Sequence, residues 1–336
     1  MFFFSPVPFT RSAVALIVFA AWGKVSGQSP AFHLDPAKVM GPNACAQCHT
    51  DETAAWQLTH HSTEFSNIYR LPQAQEISKK MDVKLMNREG ICLKCHFTVQ
   101  SDPTAAGAPK AIAGISCESC HGAARDWINI HNNLKLPNNI AQATAAGMIP
   151  PTDYYALAAN CFSCHTVPEQ KLVNVGGHVA GSDFELVSWS QGEVRHNFLQ
   201  DDGKEGKTNK PASQNRLRML YVVGRCVDLE YGLRGTAKAT EAANYGKALA
   251  WRAFNARKNV QAIFDATKLP EIKAILDASG TDADLKINNA AVLNAAADKV
   301  SPLIKQFSSA NDGSKLAAVD ALIPPASKYV GTVCKP

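Results

Sequence analysis

The sequence predicts a mainly α protein in two parts, and three observations predict it. Apolar residues recur at helical spacing in the C-terminal part: Leu217, Leu220, Tyr221 and Gly224 form one stripe, and Leu249, Ala253, Ala256, Val260 and Phe264 another. Between His49 and His61 the run TDETAAWQLT holds good helix formers and neither Gly nor Pro. A unit of the form Cys-x-x-Cys-His occurs four times before residue 166 and not after it. The 336 residues suffice for one large domain or two ordinary ones.

From the N-terminus, Arg11 supplies a charged start, Ala13 to Trp22 is an apolar run, and Val25-Ser26-Gly27 offers small residues for a signal peptidase. The run falls short of the roughly 20 apolar residues that cross a bilayer. A cleaved signal peptide over 1–27 is therefore expected, with a mature chain starting near Gln28, no stable membrane span, and a periplasmic or secreted (extracellular) location. Charge is uneven: residues 28–194 hold 11 basic and 15 acidic side chains, and 195–268 hold 14 and 7. No basic run is interleaved with aromatics, which argues against nucleic-acid binding.

The four units are Cys45, Cys48 and His49; Cys92, Cys95 and His96; Cys117, Cys120 and His121; Cys161, Cys164 and His165. Two thiols a short turn apart can form thioethers with one porphyrin, and the adjacent imidazole then reaches its iron. Structural zinc would not require a His after every second Cys. A thioredoxin-like site would sit in a βαβ pattern, which is absent. The units therefore predict four covalently attached c-type haems, with His49, His96, His121 and His165 as proximal iron ligands. Their propionates make the haem region acidic against the basic segment that follows, a dipole that would orient a redox partner or hold the two halves together. Cys226 and Cys334 remain, either as a disulfide or as separate thiols.

Six histidines are left over. His61 lies twelve residues past His49, roughly 18 Å along a helix, whereas two nitrogens on opposite faces of one iron are about 4 Å apart. His61 should thus cap a haem other than its neighbour, and so should His131, which closely follows His121. His178 follows the turn-forming Gly176-Gly177, and His196 also follows a Gly closely. His61, His131, His178 and His196 are the expected distal ligands; His60 and His33 are the spares. Trp56 and Trp127 precede His61 and His131 by a helical turn or slightly more, and either pack on a porphyrin or belong to an ordinary core.

The segment Cys45–His61, CAQCHTDETAAWQLTHH, resembles the tetrahaem cytochrome c-554 family and related multihaem proteins. There a Cys-x-x-Cys-His is followed by a helix with Trp and then Ser/Thr-x-His, the pattern of Trp56, Thr59 and His61. GISCESCHG at 114–122 is similar to that group's third haem unit. The resemblance covers roughly residues 43–200. It implies a helical wrap around four haems packed in close pairs, with electron transfer as the activity. In that family one haem can lack a distal protein ligand, whereas this sequence has enough histidines for all four.

Polar residues 201–214, with Gly and Pro, read as a linker between a tetrahaem domain over 28–200 and an α-helical domain over 215–336. The latter should be a bundle of two long helices and shorter ones near LPEIKAILDAS and INNAAVLNAAADKVSPLIKQF. An iron held by two histidines has no open position, so an electron-transfer protein with redox partner proteins is the first expectation. The alternatives are a multihaem reductase or oxidase for a small nitrogen or sulfur compound, and a subunit of a haem-bearing assembly. The enzyme reading requires one open iron, for which Cys92–His96 is the candidate because no histidine follows it closely.

Overall fold

In a computed structural model of the chain, residues 34–88, 90–101, 107–198 and 208–331 are described. The expected signal peptide 1–27, His33, residues 201–207 of the expected linker and Cys334 lie outside them. The described chain is mainly helical, with one antiparallel strand pair, Thr98–Gln100 against Lys110–Ala113.

Up to residue 198 the helices are short. Pro42–Ala46, Leu93–His96 and Cys117–His121 each span a turn or little more around a cysteine unit, and Tyr154–His165 ends on the fourth. The run expected as one helix between His49 and His61 is two, Thr50–Gln57 and His60–Asn67. Thr59 stops the first by turning extended, and its Oγ1 accepts a hydrogen bond from Ser62 N at 3.2 Å as an N-cap. That corner puts His61 on a helix of its own.

The long helices Gln214–Ala237 and Asn244–Thr267 match the apolar stripes. The shorter helices expected after them are Pro270–Ala278 and Ala290–Ala310, the latter 21 residues long with Pro302 inside it. Gln214–Ala237 is buried on nearly every side from Met219 onward, against Asn244–Thr267, Ala290–Ala310 and the cysteine-bearing Tyr154–His165. Two glycines permit the closest approach. A Cβ on Gly232 would stand 2.8 Å from Ala253 Cα, and one on Gly235 would stand 2.5 Å from Leu249 Cδ1.

The main core draws on both sides of residue 200. Tyr155, Ala158 and Phe162 join Leu229, Val260, Ile275, Ile304 and Phe307 in one apolar cluster. Buried charges within it are paired. Glu230 meets Arg234 at 2.9 Å and accepts from Tyr155 Oη at 3.0 Å, while Asp228 meets Arg252 at 2.5 Å. Cys226 is fully enclosed here as an unpaired thiol, and burial pushes its pKa up to about 12.

Candidate multihaem site

Each cysteine unit is a helical turn. His49 N donates to Cys45 O at 2.9 Å and His96 N to Cys92 O at 3.1 Å, which presents the thiols and the imidazole from one short segment. Contacts then string the units together. Cys45 and Cys117 are close enough to share a hydrogen bond, and so are Cys95 and Cys164. Asn160 Nδ2, beside Cys161, donates to Ser119 O and Cys120 O at 2.8 and 3.2 Å. The spatial order is therefore first, third, fourth, second unit.

Glu118 anchors one end of this string. Fully buried, it accepts from Met40 N at 2.9 Å, Gly41 N at 2.7 Å and Ala124 N at 2.7 Å, tying the segment that leads into the first unit to the third. Trp56, which the sequence allowed either as a porphyrin neighbour or as core, donates its indole N–H to Ile115 O at 2.7 Å. Trp127 stands edge-on to His131 with ring centres 5.2 Å apart.

The structure sets each unit's histidine opposite one of the four expected distal ones. Ring centres lie 6.2 Å apart for His49 and His131, 6.2 Å for His61 and His165, 6.4 Å for His96 and His178, and 6.2 Å for His121 and His196. No pair joins a unit's histidine to the candidate nearest it in the chain. His96, whose unit has no histidine closely after it, faces His178 across a turn shaped by Gly177 at φ 80°. His60 stays outside the pairs, its Nδ1 2.8 Å from the buried carboxylate of Glu193.

Most of these rings have one nitrogen occupied by protein. Nδ1 of His121, His131, His178 and His196 lies 2.9, 2.7, 2.9 and 2.7 Å from the carbonyls of Ile149, Ile128, Val179 and Val194. His165 Nδ1 meets Ser182 Oγ at 3.1 Å. His96 Nδ1 lies 3.1 Å from Glu64 Oε1, within ion-pair range but out of line for a hydrogen bond. Each such contact leaves the opposite nitrogen, Nε2, for a metal. Burial lowers the pKa of His121 to about 4 and of His165 to about 3, so both are neutral at pH 7, the form that binds metal.

These residues fit haem iron. Two imidazoles on one iron have nitrogens about 4 Å apart, and about 1 Å more to each ring centre gives roughly 6 Å. Two buried donors are left for a bound group: the indole N–H groups of Trp127 and Trp189 lie beside His131 and His165 without a protein acceptor. The signal for the pairs was in the sequence as a count of histidines; no local signal could have found Glu118, Asn160 or Ser182.

The family model described as "Cytochrome c554 and c-prime" matches residues 44–122. The cytochrome c-554 of Nitrosomonas europaea is 27% identical over 124 residues, which are 35% of this chain and 52% of that protein. The chain thus spans about half the length of the curated relative it matches. No solved structure matches it significantly. Over residues 44–122, which carry the first three cysteine units, the chain is similar to the cytochrome c554 family.

Proposed function

We propose that the chain is an exported tetrahaem cytochrome that carries electrons through four six-coordinate haems. The thiols of Cys45, Cys48, Cys92, Cys95, Cys117, Cys120, Cys161 and Cys164 would hold the porphyrins. The iron ligands would be the pairs His49 and His131, His165 and His61, His96 and His178, and His121 and His196. The observation that carries this reading is the set of four facing imidazole pairs, each joining one Cys-x-x-Cys-His unit to one histidine outside any unit.

Haem iron supplies one-electron chemistry, with a potential set by its ligands and their hydrogen bonds. The chain's part is to hold and orient. The carbonyls on Nδ1 fix the ring planes, the units' mutual contacts fix the order of the sites, and two imidazoles for each iron would leave a substrate no position to occupy. Close packing without rearrangement suits transfer between redox proteins at either end of the string. The enzyme alternative placed its open iron at the second unit; His178 opposite His96 argues against it there. Export rests on the signal peptide expected from the sequence of residues 1–27. No helix among the described residues is long and apolar enough to cross a membrane.

The test is the haem count by pyridine haemochrome, with absorption and EPR spectra of the oxidised protein before and after cyanide or nitric oxide. Four haems per chain, all low-spin and indifferent to ligand, are expected. A fraction near one quarter that is high-spin and shifts on ligand addition would overturn six-coordination and favour an oxidoreductase.

A further inference from the structure

The fourth unit differs from the others in what holds its histidine. His165 is clasped by the loop after Gly181. Ser182 N donates to His165 O at 3.1 Å, Ser182 Oγ sits 3.1 Å from Nδ1, and the Phe184 ring stacks on the imidazole at 4.4 Å and 20°. That loop is in turn held by the C-terminal helices. Arg252, on Asn244–Thr267, donates from Nη1 to Ser182 O at 2.9 Å and from Nη2 to Phe184 O at 3.3 Å. Its Nε goes to Asp228 Oδ1 at 2.5 Å, and its guanidinium carbon stands 5.3 Å from the centre of the Phe162 ring.

All three nitrogens of Arg252 are thus engaged: Nε by the carboxylate of Asp228, which is 6% exposed, and Nη1 and Nη2 by the two carbonyls that bracket Asp183. A neutral side chain would leave those carbonyls and the carboxylate unpaired in the interior. A lysine would reach one of them as a point charge without the fork.

We propose that Arg252, with Asp228 behind it, is a positioning residue for His165, through which the C-terminal helices orient this imidazole and place a fixed positive charge near one iron. The role extends outside the segment matched by the cytochrome family and gives the helical layer a part in setting one redox potential. It rests on His165 being an iron ligand. A cation near the iron disfavours its ferric form. Removing Arg252 therefore lowers that haem's potential, while neutralising Asp228 leaves the cation uncompensated and raises it.

The experiment is a mediated spectropotentiometric titration with low-temperature EPR on the holoprotein, in wild type, R252Q, R252K, D228N and S182A. At the wild-type midpoint, one haem's ferrous-to-ferric ratio should fall about threefold to tenfold in R252Q, at most about 59 mV for one electron. It should rise in D228N, with the other three haems unmoved. R252K should restore most of the potential while one low-spin EPR signal still shifts. S182A keeps the ion pair and should shift that same signal, which keeps the test open if R252Q does not fold. Unmoved midpoints and EPR signals across the folded variants, or shifts of one sign in R252Q and D228N, would overturn the proposal. Wild type without low-spin haem signals would instead overturn the tetrahaem reading itself.

Discussion

The two halves of the chain are built differently. Residues 34–198 run through short helices whose own apolar clusters are small, such as Ala124, Trp127, Ala143 and Met148, or Ile68, Met86 and Phe97. Residues 208–331 carry helices of 24, 24, 9 and 21 residues around a core that includes Ile263, Ile272, Ile275, Leu293 and Ile304, all at 0% exposure. Isolated helices below about 12–15 residues are marginal in water, so on the tetrahaem proposal the first half would depend on what its cysteines and histidines bind. The second half depends on burying its own apolar surface. One helix, Tyr154–His165, belongs to both, and the two modes of stabilisation meet on it.

The largest effect should come from preventing haem attachment. With the eight unit cysteines changed to serine, limited proteolysis and hydrogen exchange should show residues 34–150 opened throughout, while Gln214–Ala237 and Asn244–Thr267 stay protected. Equal loss of both regions would show that the helical layer has no independent stability. Next is a cavity in the second half: Ile304→Ala should cost about 2–5 kcal/mol in urea unfolding and leave the haem absorption spectrum in place below the transition.

Glu118→Gln should cost about 1–3 kcal/mol and speed exchange at Met40, Gly41 and Ala124, because one amide oxygen cannot serve three backbone donors. Protection unchanged at those amides would show that the anchor does not join the first and third units. Glu64→Gln removes a negative charge 3.1 Å from His96 Nδ1 and should raise one haem's ferrous-to-ferric ratio by about threefold at its wild-type midpoint. The smallest effect concerns Asp320, whose two carboxylate oxygens accept from Nε and Nη2, one edge of Arg218, at 2.7 Å each. The Arg218 hydrogen bonds lower its pKa to about 2 against about 4 unfolded. Its contribution is therefore present above about pH 4 and lost as pH falls toward 2. In Asp320→Asn the pH dependence of the melting temperature over that window should flatten slightly.

The helical class, the two long stripes and the four cysteine units were all legible in the sequence, because each rests on spacing within a few turns. The break at Thr59 was missed: a Thr inside a run of helix formers caps or continues a helix according to the direction its neighbours impose. Six spare histidines pointed to distal ligands as a group, but nothing local could assign them.

What the sequence by itself determined is the chemistry that operates within one turn of backbone: two thiols and an imidazole at fixed offsets, repeated four times. Only the tertiary structure decided which imidazole faces which, that the units run first, third, fourth, second, and that Arg252 reaches the loop clasping His165. The reason is physical. Those partners lie far apart along the chain, and their meeting depends on how helices pack and where corners such as Thr59 and Gly177 turn them.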